Sequence, residues 1–183
     1  MARRDQSEMA ILGGLSMQPM TAYALREAIR DVLGHFWSES FGQIYPTLNA
    51  LEEKGHVRRR EGPRAGSSIF EITESGAARL HELLSEPITT TPPRNGLLLR
   101  LFFGRTLGED RCRELIEEAR ADAERRLADY DALARTVTTQ EADSPDLPYN
   151  LITIAAGRHG AQATIGWADE ALALLPATKK ATP

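Results

Sequence analysis

The rhythm of apolar and polar positions changes several times along the chain, and each change marks an element. Ile11, Leu12 and Leu15 fall at helical steps and predict a short helix over Met9 to Leu15, ending near Ser16 to Pro19. Thr21 suits the N-cap of a second helix running to about Leu33, with Tyr23, Leu25, Ile29, Val32 and Leu33 inward and Gly34 as its stop. The stretch from His35 to Glu52 carries the clearest pattern. Phe41, Ile44, Tyr45, Leu48 and Leu51 recur every three or four residues, whereas Ser40, Gln43, Thr47 and Asn49 give small polar groups on the opposite side. Ser40 to Gln43 fits a capping box. Pro46 lacks an N–H and crowds the Gly42 carbonyl, which predicts a distorted first turn or a later start.

Period two replaces helical period after Gly55. His56 to Arg60 and Ser68 to Ile72 read as two short strands, joined by the glycine- and proline-rich turn Glu61 to Ser67. Thr73 then caps a fourth helix to about Leu84. Three helices, a hairpin and a closing helix predict a winged helix-turn-helix. The fold class expected is therefore mainly α with a small β-hairpin wing, followed by an α-helical dimerisation domain. Pro87 to Pro93 has no periodicity and reads as linker. Leu97 to Phe103 is apolar enough for a short buried helix, and Thr106 to Glu109 resembles a capping box opening a long helix to about Val137. In that helix Ile116, Ala123, Tyr130 and Val137 share one seven-residue beat and Cys112, Ala119 and Leu133 another, broken by Arg126, as in helices packed at a shallow angle. A polar loop from Thr138 to Pro148 precedes a last helix over Leu151 to Leu175. The boundaries that follow are 1–86 for a winged-helix DNA-binding domain, 87–96 for a linker, 97–176 for a helical dimerisation domain and 177–183 for a tail.

Composition narrows the function. The chain has 183 residues, 42% of them hydrophobic, with no apolar run near the roughly 20 residues that span a bilayer. The charged N-terminus is not a secretory signal, so a cytoplasmic protein without membrane contact is expected. One cysteine excludes an intramolecular disulfide framework. The four histidines lack metal-type spacing, and no phosphate loop, paired catalytic carboxylates or activated serine is visible. No enzyme, metal or cofactor is expected. The net charge of −4 opposes nucleic-acid binding, but Lys54, Arg58, Arg59, Arg60 and Arg64 face only Glu61 within 54–64. Phosphate attraction follows the local field, so this small patch suits a dimer that places two of them on one duplex.

A helix with one buried stripe and one small-polar side, followed by an arginine-rich hairpin, fits a major-groove reader. The DNA-binding candidates are Thr21, Tyr23, Ser40, Gln43, Tyr45, Thr47, Asn49, Arg58, Arg60 and Arg64. Each has a plainer alternative. Ser40 and Gln43 cap locally, Tyr45 sits on the apolar stripe, Asn49 is equally a solvated surface residue, and strand arginines protect sheet edges. Arg59 points away from Arg58 and Arg60 by strand alternation. Phe36, Trp37, Phe102 and Trp167 are candidates for an effector pocket between the domains, against their use as ordinary core. Cys112, Ile116, Ala119, Ala123, Tyr130, Leu133 and Val137 are the candidate dimer seam.

Gly34 to Gly55, with Phe41-Gly42-Gln43-Ile44-Tyr45-Pro46-Thr47-Leu48 at its centre, resembles the PadR family of bacterial transcriptional regulators. Phe70 to Gly76, Leu101 to Gly104 and Trp167 to Ala171 extend the resemblance over most of the chain. It implies a homodimeric repressor on a pseudo-palindromic DNA operator, released by a small, often phenolic or otherwise aromatic effector. Where the family usually has Ser/Thr-Gly-Tyr-Glu-Leu, this chain has Thr21-Ala22-Tyr23-Ala24-Leu25, which keeps Thr21 and Tyr23 for phosphate contact and lacks the glycine and the acid. A dimeric winged-helix module that binds protein instead of DNA is the alternative, kept open by the near-neutral first half.

Overall fold

The computed structural model describes residues 3–34, 36–37, 41–62, 66–88 and 94–175, with the side chains of Arg3, Arg4, Val32 and Phe41 outside the described set. The chain divides into two units, Met1–Thr91 and Pro92–Pro183.

In the first unit, α1 spans Arg3–Met17, β1 Met20–Thr21, α2 Ala22–Ala28, α3 Phe41–Glu53, β2 Val57–Glu61, β3 Ser68–Ile72 and α4 Glu74–Ser85. Ile11, Leu12 and Leu15 of α1 join Leu25 of α2, Ile44, Leu48 and Leu51 of α3, and Leu83 of α4 in one cluster that is essentially closed to water. Burying such side chains stabilises by roughly 1.5–3 kcal/mol each, so α3 is held by this one side. The helix α1 is longer than its apolar core predicts. Its first turns carry Glu8, whose side chain is 3% exposed and pairs with Lys54 at 2.8 Å and Arg79 at 3.6 Å. Thus polar residues extend α1 by fastening it to the end of α3 and to α4.

Local chemistry sets the joints. The Thr21 hydroxyl accepts from the Ala24 N–H at 3.1 Å and caps α2, as its sequence position predicts. Ile29–Leu33 then widens into a π-helical segment, which the uninterrupted 3.6 pattern did not signal. Contrary to a later start, α3 begins at Phe41 and runs through Pro46, so the helix absorbs the missing donor beyond its first turn. Gly55 ends it at φ +75°, with Gly55 N–H donating to Glu52 O and His56 N–H to Leu51 O, both at 2.9 Å. This double bond pattern needs a left-handed residue, which glycine adopts without strain. Thr73 accepts from Gly76 N–H at 3.1 Å and donates to Gly55 O at 2.7 Å, so the cap of α4 also grips the end of α3. A Cβ at Gly76 would stand 2.0 Å from His56 O, which leaves room only for glycine.

The hairpin is antiparallel, with Val57 opposite Ile72, Arg59 opposite Phe70 and Glu61 opposite Ser68. The two-residue β1 pairs with β3 and makes the order β1-β3-β2. Sequence alternation missed β1 because two residues cannot display a period.

In the second unit, α5 is Gly96–Phe102, α6 Gly104–Leu107, α7 Glu109–Gln140 and α8 Leu147–Leu174. Arg120 pairs with Asp169 and Asp131 with Arg158, both at 2.6 Å, so α7 and α8 run antiparallel. Their seam keeps a seven-residue beat, with Ile116 and Ala123 buried on α7 and Ile154, Ala161 and Ala168 on α8. A Cβ on Gly157 would meet the Tyr130 ring at 2.4 Å, so the glycine lets that ring lie against the α8 backbone. Two expectations fail here. Thr106 lies inside α6 instead of capping α7, whose N-cap is Gly108 at φ +94° with no side-chain cap. The apolar α5 is not buried within its unit: Leu99 is 62% and Phe102 82% exposed. Its composition was legible, but burial needs a covering element, and the antiparallel pair offers α5 only a partial one. Among the described residues no helix is long and apolar enough to cross a membrane.

Leu48 is fully buried whereas Tyr45 is 59% exposed. Leu48→Ala should therefore cost about 2–5 kcal/mol in urea unfolding. Tyr45→Phe should stay within about 0.5 kcal/mol of the parent. Equal losses for both would refute this orientation of α3.

Candidate nucleic-acid interface and ligand cleft

The burial of Ile44, Leu48 and Leu51 decides which side chains of α3 remain outside. Gln43, Tyr45 and Asn49 are exposed, and Thr47 is half-buried. Tyr45 thus leaves the apolar stripe on which its spacing placed it, because its Cβ lies to one side of the fully buried row. Thr47 moves the opposite way, towards the margin of the core. Tyr23, second residue of α2, is exposed, and the Thr21 hydroxyl is occupied by its cap. Ser40 and its capping box, as well as Arg64 at the turn of the hairpin, lie outside the described residues.

The wing is less free than its arginine count suggests. Arg58 donates to Glu71 at 2.9 Å, and Arg60 stands 3.2 Å from the same carboxylate, so strand alternation has placed both on one face of the hairpin. The Arg58 hydrogen bond, with the Arg58 and Arg60 charges behind it, holds the Glu71 carboxyl below the usual glutamate range. Lys54 is engaged by Glu8. Arg59 turns to the other face: its Nη2 lies 2.7 Å from both Glu52 Oε2 and Asn49 Oδ1, and its Cζ sits 5.0 Å from the centre of the Phe70 ring. All four described cations of the 54–64 patch therefore have a carboxylate partner. The local window overstated the field because Glu8, Glu52 and Glu71 lie outside it in sequence and beside it in space. Arg59, absent from the candidate set, is the wing residue that touches α3.

Phe102 and Trp167 come together in a cleft of about 790 Å³ in the second unit, which also takes in Leu98, Arg105, Cys112 and Ile116. Its walls are mostly apolar, with Arg105 and Glu109 as the ionisable groups besides the thiol. Phe36 and Trp37 belong to the first unit. Phe36 is 56% exposed, while Trp37 is half-buried against the α1–α3 cluster. The Trp37 indole N–H is buried with no hydrogen-bond partner among the described residues. Of the seven seam candidates, Cys112, Ile116 and Ala123 are buried within their own unit and keep no surface for a second copy. Ala119, Tyr130, Leu133 and Val137 are half-buried. The heptad beat is thus used inside the chain, at Ile116 and Ala123 because α8 supplies the partner helix and at Cys112 with Gly104 of α6 against the thiol.

Family models match both units: that of the transcriptional regulator PadR-like family over residues 11–82, and that of the virulence activator alpha C-terminal region over 93–176. Residues 11–82 belong to the PadR-like family of transcriptional regulators. Among relatives of this PadR-like chain is the negative transcriptional regulator PadR of Bacillus subtilis, 26% identical over 175 residues, 91% of this chain and 95% of the relative. The crystal structure of that Bacillus subtilis protein in complex with operator DNA superposes with a TM-score of 0.79 at 24% identity, covering 92% of this chain and 98% of the other. Its complex with p-coumaric acid gives 0.75 at 24% identity, covering 91% and 96%. At this identity the superpositions establish the PadR-like fold, a winged helix followed by a helical unit.

The Glu71 shift has a sign that can be measured. A depressed carboxyl keeps its ion pair from neutral pH down past the ordinary glutamate range and loses it only as pH falls through the lowered value. An NMR titration should find the Glu71 midpoint below the ordinary glutamate value. Arg58→Ala should raise it, and an unmoved midpoint would contradict the pairing.

Proposed function

We propose that this chain is a sequence-specific DNA-binding regulator that works as a ligand-responsive repressor, a homodimer on a pseudo-palindromic operator. The observation that carries the reading is the division of α3: Ile44, Leu48 and Leu51 are fully buried, and Gln43, Tyr45 and Asn49 are left outside. Such a helix enters a major groove without unpacking its own domain. Two copies would set their α3 helices one turn apart, about 34 Å. Thr21 and Tyr23 would touch the backbone at the start of α2, and Ser40 and Thr47 would flank the readers. Arg58, Arg60 and Arg64 would lie along flanking phosphates. Phosphates would compete with Glu71 for Arg58 and Arg60, so these two add less than free arginines. Specificity then rests on dimer spacing and the few outward side chains of α3.

The cleft beside Trp167 and Phe102 suits a small aromatic effector, and the Arg105 guanidinium supplies a cation for an acid group on it. Its occupation would lower DNA affinity only by binding more tightly to a dimer geometry unsuited to the operator. Ala119, Tyr130, Leu133 and Val137, with the exposed apolar side of α5, remain the candidates for contact with the second copy. The paired arginines favour one other reading, a winged-helix module that binds protein through the same exposed α3.

Electrophoretic mobility shift on the DNA upstream of the chain's own gene separates these readings. Specific, salt-sensitive retardation is expected, and Gln43→Ala should weaken it about tenfold. Arg58→Ala should reduce the salt slope by less than the roughly one unit of a free contact. No binding at any salt concentration would favour the protein-binding module. For the effector, Trp37→Phe leaves Trp167 as sole indole reporter. Titration with p-coumaric acid should quench it and release the DNA together, and a ligand class that moves neither signal is excluded.

A further inference from the structure

Arg59 makes three contacts, one of them to an amide of α3. Its guanidinium donates to Asn49 Oδ1 at 2.7 Å, pairs with Glu52 at 2.7 Å and lies over the Phe70 ring at 5.0 Å. We propose that Arg59 is a positioning residue that fixes the Asn49 amide with its NH₂ outward, so that Asn49 presents its donor to DNA ahead of its acceptor. This rests on the placement of α3 in the groove given above.

The chemistry leaves one orientation. A guanidinium carries five N–H donors and no acceptor, so only the amide oxygen can face it. The reversed amide would set N–H against N–H. Arg59 cannot follow a turning amide, because Glu52 on α3 and Phe70 on β3 hold the guanidinium from two other directions. The amide is planar, and with Oδ1 directed at the hairpin its Nδ2 lies on the far side, at an exposed position of α3.

Base recognition changes accordingly. A free asparagine reads adenine with both atoms, accepting from N6 and donating to N7. One of the two lone pairs of Oδ1 is held by Arg59, and that atom is turned towards the hairpin. The N6 amino group of adenine therefore has the poorer approach to the amide, and the outward NH₂ favours guanine (O6, N7) or thymine (O4) over adenine, which sets its own N6 donor beside N7. The wing therefore contributes to sequence choice without touching a base. A merely structural Arg59 would brace β2 against α3 and leave base preference untouched.

The test uses the full chain on an operator selected by the wild type from random duplexes, then on a panel with each base pair of a half-site replaced in turn. Asn49→Ala should flatten the profile at one pair and so locate the contact. There the wild type should prefer guanine or thymine over adenine by about tenfold. Arg59→Met should shift that same pair towards adenine and leave the others unchanged, whereas Arg59→Lys, which keeps a donor, should retain the wild-type preference. Arg59→Gln offers an acceptor as well as a donor and provides a second route to the same shift if the apolar change lowers the melting temperature. An unshifted preference in folded Arg59→Met or Arg59→Gln overturns the proposal, as does an Asn49→Ala profile flattened at no position. Wild-type protein that treats operator and scrambled duplex alike would refute the groove placement itself.

Discussion

The closed contact between α1 and α3 is the constraint on which the first unit depends. Ile11, Leu12 and Leu15 meet Ile44, Leu48 and Leu51 with essentially no exposure on either side. Rotating α3 about its axis would uncover that row, so packing alone decides that Gln43, Tyr45 and Asn49 point outward. The same constraint carries Pro46 within the helix, since the buried residues on either side fix the path of the chain. Its effect reaches the wing through the bonds around Gly55. Thr73 and Ser75 both donate to the Gly55 carbonyl, at 2.7 and 2.9 Å, so the start of β2 is set relative to the end of α3. Arg59 can reach Asn49 because of that fixed offset.

Electrostatics in this unit is a matter of local pairing more than of net charge. Each described cation near the wing is matched by an acid from a different element: Glu8 from α1, Glu52 from α3 and Glu71 from β3. Exposed pairs of this kind add little stability, with a median of about 0–1 kcal/mol. Their larger effect is on direction, because each pair selects one rotamer of a long side chain. Glu8 differs from the others in being buried. A buried carboxylate needs its partners, so Lys54 and Arg79 serve the fold before any ligand.

Much of this was legible in the sequence, and the exceptions have common causes. The caps Thr21 and Thr73, the stop at Gly55, the hairpin and the long seven-residue seam all announce themselves through short-range chemistry, which a linear reading captures. The PadR-like motif around Gly42 to Leu48 pointed to the family in the same way. What escaped depends on residues far apart in the chain. The neutralised cations needed Glu8 and Glu71, the burial of Ile116 needed α8, and the exposure of α5 needed the absence of a cover within its unit. Tyr45 and Thr47 exchanged roles because a three-or-four-residue rhythm defines a stripe whose edges only packing can draw. The cleft was half visible: Phe102 and Trp167 were candidates, whereas Leu98 and Arg105 gave no signal beyond ordinary amphipathic spacing.

The glycine opposite Tyr130 has a mechanical meaning for the second unit. Antiparallel helices with small residues at a regular beat, here Ala123, Ala161 and Ala168, present a smooth track on which registers separated by a turn differ little. Gly157 breaks that degeneracy, because sliding α8 by a turn, four residues in either direction, would bring Thr153 or Ala161 to that place and drive a Cβ into the ring. The ring and the missing methyl act as a detent. The register of the hairpin is thereby fixed at a point between the cleft at its one end and the loop that closes the other.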